Sequence, residues 1–217
     1  MKSLVVNFRS WRKRKKLLVL ALVVIGAYQA WVAVAPVKEI ALIIGEPWED
    51  MRARSSASIG PAIAGRSWGR HTKSDARLRF INPQFGFVTP EARFFTISFR
   101  DERVSNIRMS PQVEPLLIDD TMNVLMDLQD QWRAGGWTVI FRDSPEFVDT
   151  PASRIALRDA PNGRTTYWRA GEKFQALLNV GRFADDRHPG QERYLITLAV
   201  ARPWLTGPPN IKPRPKP

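Results

Sequence analysis

The 217-residue chain contains no cysteine. That excludes disulfides, thiolate nucleophiles, cysteine-based zinc sites and lipid attachment at a lipoprotein cysteine. Histidine is almost as scarce, with only His71 and His188. His188 stands in "ADDRHPG" beside Asp185 and Asp186, a set that could bind a metal. The same letters are those of a solvated turn, and a turn is the expectation here. His71 lies in "RSWGRHTK", a basic stretch read as loop, with no carboxylate before Asp75. "SIGPAIAGRSWG" lacks the spacing of a phosphate-binding loop. The paired acids Glu49/Asp50, Asp101/Glu102, Asp119/Asp120 and Asp185/Asp186 all fall at turns or helix starts, where acids are structurally favoured. No catalytic residue, metal ligand or cofactor site is therefore assigned.

Acidic residues are absent before Glu39, and charge of either sign is absent from Leu17 to Val37. As a helix, that uncharged run measures about 31 Å, close to a hydrocarbon core of ~30 Å. Seven basic residues precede it. Trp11 and Trp31 fall near its two ends, where indoles favour the membrane interface. The expectation is a basic cytoplasmic N-terminus (1–16) and a single transmembrane helix (17–37). A periplasmic domain (38–205) and a Pro-rich basic tail (206–217), expected to be disordered, follow. A cleaved signal peptide is the rival reading, since Ala33-Val34-Ala35 fits the small-x-small pattern. Its apolar core would be unusually long, and Pro36 would follow the cut. An organelle presequence also shares the Arg-rich, acid-free start.

The net charge of +12 is concentrated at the ends of the chain. The first 16 residues carry +7, and Lys212, Arg214 and Lys216 add +3. The central domain is thus close to neutral, which argues against a nucleic-acid partner. The tail cations are candidates for anionic contact with lipid headgroups, envelope polymers or an acidic partner.

The domain reads as α+β: a mainly antiparallel sheet with one principal packed helix. A division near Pro111–Pro115 is the alternative to a single unit. In "ARFFTISFRDERVSNIRMS", Phe95, Ile97 and Phe99 alternate with Thr96 and Ser98, Arg100–Arg103 reads as a turn, and a second strand returns to Met109. "ARLRFINPQFGF" reads as a strand broken at Asn82-Pro83. Asp119 or Asp120 is expected to cap a helix that carries Leu125, Leu128 and Trp132 and ends at Gly135-Gly136. "WTVIF" reads as the next strand, and "TPASRIALRDA" as a short helix or a strand. Phe174–Val180 and Tyr194–Val200 alternate as a second hairpin across a polar link. Residues 51–75 are expected to be loop with at most a short helix. Of the tryptophans beyond the anchor, Trp68 is the candidate for an exposed interface anchor, flanked by Arg66 and Arg70.

"IIGEPWED" followed by "FFTISFRDERVSNIRM" resembles the G-x-P turn and hairpin of small envelope-assembly domains of the outer-membrane lipoprotein kind. It spans about a third of the chain and lacks the lipidated cysteine of such proteins, and no expectation rests on it.

The reading is a single-pass bacterial inner-membrane protein whose periplasmic domain binds a protein partner as a non-catalytic accessory subunit of an envelope complex. Two alternatives stay open. One is a membrane-tethered immunity-type protein that neutralises a periplasm-acting toxin, which would carry an acidic or aromatic patch. The other is a carboxylate-based periplasmic hydrolase, which would need two facing acids in a cleft.

Overall fold

The structure, a computed structural model, describes residues 36–204 except 62 and 64, together with Val23. Apart from Val23, Pro36 and Val37, the expected span 17–37 lies outside the described residues, with Trp11 and Trp31. So do the basic N-terminus and the tail cations Lys212, Arg214 and Lys216. Among the described residues no helix is long and apolar enough to cross a membrane. The chain divides after Val37, and the described residues from Lys38 to Trp204 belong to one compact unit, undivided at Pro111–Pro115.

Along the chain come β1 (Glu39–Leu42), α1 (Trp48–Arg54), β2 (Trp68–His71), β3 (Ala76–Phe80), β4 (Phe87–Ala92), β5 (Phe95–Arg100) and β6 (Arg103–Met109). Then follow α2 (Ile118–Ala134), β7 (Thr138–Val139), α3 (Pro151–Arg158), β8 (Arg164–Ala170), β9 (Phe174–Phe183) and β10 (Arg193–Ala201). They build an α+β domain with two sheets. Seven antiparallel strands run in the order β2-β5-β6-β10-β9-β8-β7, and three more in the order β1-β3-β4, where β1 is parallel to β3. The α+β class with a mainly antiparallel sheet, expected of this domain, holds in this form, with three helices among the described residues where one principal helix was expected.

Alternation explains the central strands. Ala176, Leu178 and Val180 of β9, and Tyr194, Ile196, Leu198 and Val200 of β10, are fully buried, while the residues between them on β10 are half-exposed. One face of the larger sheet is core and the other is partly solvated, as the half-polar pattern implies. Aromatic rings tie this sheet to the smaller one. Phe80 of β3 meets Phe174 of β9 edge-on at 5.0 Å. Trp132 of α2 contacts Phe87 of β4 at 5.7 Å and Trp168 of β8 at 5.3 Å.

Helix α2 begins two or three residues earlier than the capping residues suggested. Leu117 is the N-cap without a side-chain bond, and Asp119 and Asp120 sit inside the first turn, where they face the positive end of the helix dipole. Its end is as expected. Gly136 takes φ +81°, the Gly136 N–H reaches Arg133 O at 3.0 Å, and the Trp137 N–H reaches Trp132 O at 2.9 Å. This double closure is the Schellman arrangement, and it turns Trp137 back onto Trp132, rings stacked at 5.6 Å.

The 51–75 segment holds more order than expected, namely most of α1 and the edge strand β2. "WTVIF" holds less: only Thr138 and Val139 form a strand, paired with β8. "TPASRIALRDA" resolves as α3, with Pro151 in its first turn and Thr150 Oγ1 accepting from the Ser153 N–H at 3.2 Å.

The β5–β6 turn puts two non-glycine residues in the left-handed region, Asp101 at φ 50° and Glu102 at φ 60°. Segment 45–48 clasps it. The Trp48 N–H donates to Glu102 O at 2.8 Å, the Gly45 N–H to Val104 O at 2.7 Å, and the Val104 N–H to Glu46 O at 2.9 Å. These bonds hold a turn that glycine would adopt without strain.

Four glutamines bond backbone groups that lack a strand neighbour. Gln131 accepts from the Val88 N–H at 2.8 Å and donates to Val88 O at 2.9 Å, filling the outer edge of β4. Gln129 does the same for Phe147, at 2.7 and 2.9 Å. Gln112 accepts from the Ile196 N–H at 2.8 Å and donates to Tyr194 O at 3.0 Å, where β10 extends past β6. Gln175 accepts from the Trp204 N–H at 2.9 Å.

Two stability predictions follow from these contacts. Glu102→Gly should raise stability by about 1 kcal/mol by relieving left-handed strain, read as a higher midpoint in thermal unfolding of the purified protein. Gln129→Ala should lower it by about 2–4 kcal/mol, because two buried groups of Phe147 lose their partner. A midpoint within error of wild type would refute either expectation.

Candidate binding surface

The link between β9 and β10 is organised by Asp185. Its carboxylate accepts from the Arg187 backbone N–H at 3.1 Å, from Arg187 Nε and Nη2 at 3.0 and 3.1 Å, and pairs with His188 Nδ1 at 3.0 Å. The side chain is buried within these partners, only 4% exposed. The Arg187 guanidinium, then His188, holds the Asp185 carboxyl well below the usual carboxylate range. Among the described residues no group of three or more His, Asp or Glu side chains is placed to hold a metal ion. His188 thus serves as one arm of a turn latch.

The link borders two adjoining concavities. A polar cleft of about 810 Å³ is lined by Arg158, Arg182, Asp186, His188, Glu192 and Arg193, among others. A neighbouring groove of about 550 Å³ is walled by Phe94, Val113, Pro115, Phe183 and Leu195. Phe183 to Asp186 belong to both. Phe94 is 65% exposed and Phe183 42% exposed. Around them several charges are matched. Arg93 pairs with Asp75 at 3.2 Å, Arg158 with Glu192 at 2.9 Å, and Arg187 with Asp185.

Four groups beside Asp185 are shifted by their partners: Glu192, Tyr194, Arg158 and Arg187. The Tyr194 hydroxyl donates to Glu192 and, with Arg158, lowers that carboxyl. Burial first, and then Glu192, pushes the Tyr194 phenol up to about 12. Arg158 and Arg187 are raised by their carboxylate partners. These are the shifts of ion pairs, in which each group keeps its ordinary charge through neutral pH.

The residues singled out in the sequence are dispersed. Trp68 is in strand β2 rather than a loop, is only 8% exposed, and stacks on Phe99 with centroids 4.0 Å apart. The expectation of an exposed Trp68 is therefore corrected, because strand pairing turns the ring inward. Arg70 lies over that ring at 5.3 Å, and Arg66 is exposed in the preceding loop. His71 is also in β2 and its Nδ1 pairs with Thr96 Oγ1 at 2.9 Å. Glu49 and Asp50 sit in the first turn of α1, and Asp101 and Glu102 at the hairpin tip.

The exposed aromatics that sequence reasoning missed are Phe94 and Phe183. Parity was the available signal. Phe95, Ile97 and Phe99 point inward, so the residue before Phe95 cannot share their face. On β9 the even-numbered residues through Val180 are buried, so Phe183 falls outside the core set.

Compared with protein-family models, with curated proteins and with solved structures, the chain matches none of them.

The Asp185 latch has a pH signature. A depressed folded-state pKa stabilises above the unfolded value and is lost as pH falls. Asp185→Asn should therefore lower the thermal midpoint at pH 7. The gap to wild type should close progressively once pH drops below about 4, the range in which an unfolded Asp protonates. A gap that stays constant from pH 7 to pH 3 would show that the carboxylate charge is not what holds the link.

Proposed function

We propose that the protein is a single-pass inner-membrane protein with a cytoplasmic N-terminus, and that its periplasmic α+β domain binds a protein partner as a non-catalytic accessory subunit of an envelope complex. The membrane reading rests on the uncharged run Leu17–Val37 behind seven basic residues. The binding reading rests on one observation, the apolar groove between the exposed rings of Phe94 and Phe183. Exposed aromatic pairs beside a recess are characteristic of protein-binding hot spots. Because the arginines at the rim are tied to carboxylates of the same domain, attraction comes from burying apolar surface. The occupant that fits is a protein segment presenting an apolar side chain. An immunity-type protein occluding a toxin is the second reading, supported by the same aromatic patch, and differs in binding only when the toxin is present.

The test joins topology to mutagenesis. A C-terminal reporter active only in the periplasm should be active, and an inactive one would overturn the orientation. Full-length protein, solubilised in detergent from its native envelope, should retain a stoichiometric partner. Phe94→Asp and Phe183→Asp should each release that partner, while Ile155→Asp, on the exposed side of α3, should not. Retention in all three variants would remove the groove from the interface.

A further inference from the structure

A third concavity lies at the other end of β10, independent of the groove and of the reading just given. It has a volume of about 430 Å³ and is lined by Arg100, Arg103, Arg202, Ser105, Asn106 and Trp204, among others. It forms where the clasped β5–β6 hairpin meets the end of β10 and the segment leaving β1. Three arginines line it, the guanidinium groups of Arg103 and Arg202 both meeting Gly45, and Asp101 is the one acid in its lining.

Elsewhere in the domain nine of the other 17 described arginines face a carboxylate. Arg54, Arg77, Arg79, Arg93, Arg154 and Arg158 each face a carboxylate of the chain. Among the described residues Arg100, Arg103 and Arg202 form no ion pair, with Asp101 or with any other acid. Arg103 uses one nitrogen to donate to Gly45 O at 3.0 Å, which fixes its fork and leaves its charge uncompensated. Arg202 lies against Gly45, whose φ is +95°, and a Cβ built there would stand 3.0 Å from Arg202 Nη2. Gly45 thus permits both the turn and the seat of that guanidinium. Ser105 and Asn106 add neutral donors, and Trp204, 42% exposed, offers an indole face at the rim. No acidic residue follows Glu192, so the chain leaving this cavity carries only positive side-chain charge: Lys212, Arg214 and Lys216.

Holding three like charges around one recess is costly unless an anion offsets them. Arginine forks match the paired oxygens of phosphate and carboxylate. We propose that this cavity is an anion-binding site that takes a ligand bearing phosphate or carboxylate groups, clasped by Arg100, Arg103 and Arg202.

Full-length protein in neutral detergent, in a buffer free of phosphate, tests this by isothermal titration calorimetry. The probes are inorganic pyrophosphate, citrate, and mixed micelles containing phosphatidylglycerol. At least one should bind saturably. The Arg100→Ala/Arg202→Ala double variant should weaken it about tenfold or more, the scale of losing two charge-assisted contacts. Arg182→Ala, which removes an exposed arginine from the other cleft, should leave it unchanged. Pyrophosphate or citrate binding would assign a soluble ligand of that chemistry, and binding of the micelles alone a lipid headgroup. Failure of all three probes to bind would overturn the proposal. So would binding that survives in the double variant, which would place it on the basic N-terminus or tail, or an equal loss in Arg182→Ala, which would reduce it to net charge.

Discussion

A backbone N–H or C=O buried without a partner costs on the order of 1–3 kcal/mol, and two sheets folded around one core create many such groups at their edges. This domain meets the requirement with side-chain amides. Glutamine carries both a donor and an acceptor at the spacing of a peptide group, so it can stand in for a neighbouring strand. Gln131 does so for Val88, Gln129 for Phe147, and Gln112 for the part of β10 that β6 does not reach. Because Gln129 and Gln131 project from α2, the helix is bonded to the smaller sheet and to the 147 loop as well as packed on the core. The position of β4, and of the rings it contributes, depends on those bonds.

The same devices decide how the domain can be approached. The outer edge of β1 is bonded by Ser56 to the Glu39 N–H and by Ser55 to the Ala41 N–H, and the edge of β4 by Gln131. Edges closed in this way do not accept an added strand from a partner. The exposed rings of Phe94 and Phe183 stand at the strand ends, away from these closed edges.

Periodic patterns were legible in the sequence, and their partners were not. The two hairpins and α2 could be read because alternation and the 3.6-residue repeat are local properties. β2 was missed because four residues in a Gly- and Arg-rich stretch carry too little alternation to register, and with it the burial of Trp68. β8 was missed although Thr166, Trp168 and Ala170 alternate, since its short pattern follows a turn without apolar contrast. The cap of α2 was misplaced because two adjacent acids suit a first turn as well as a cap. The glutamine plugs are long-range: Gln112 meets Ile196 across 84 positions, and no local rule marks it. In the site, the Asp185–His188 turn was legible from composition. The pairing of Phe94 with Phe183 required knowing that β4–β5 and the end of β9 come together.

The groove and the arginine cavity lie at opposite ends of β10. The first gathers around Phe183, whose register partner is Arg193, the first residue of the strand. The second includes Ala201, its last residue, and Arg202 beyond it. Nine residues of strand separate two such points by roughly 25–30 Å. Between them run β9 and β10, paired with each other along the whole of β10, whose inward residues are buried. A ligand in one site therefore does not obstruct the other, and a rigid ladder does not carry a large displacement between them. If both proposals hold, an apolar protein segment at one end and an anion at the other can be held at once, as a bridge between two partners of different chemistry.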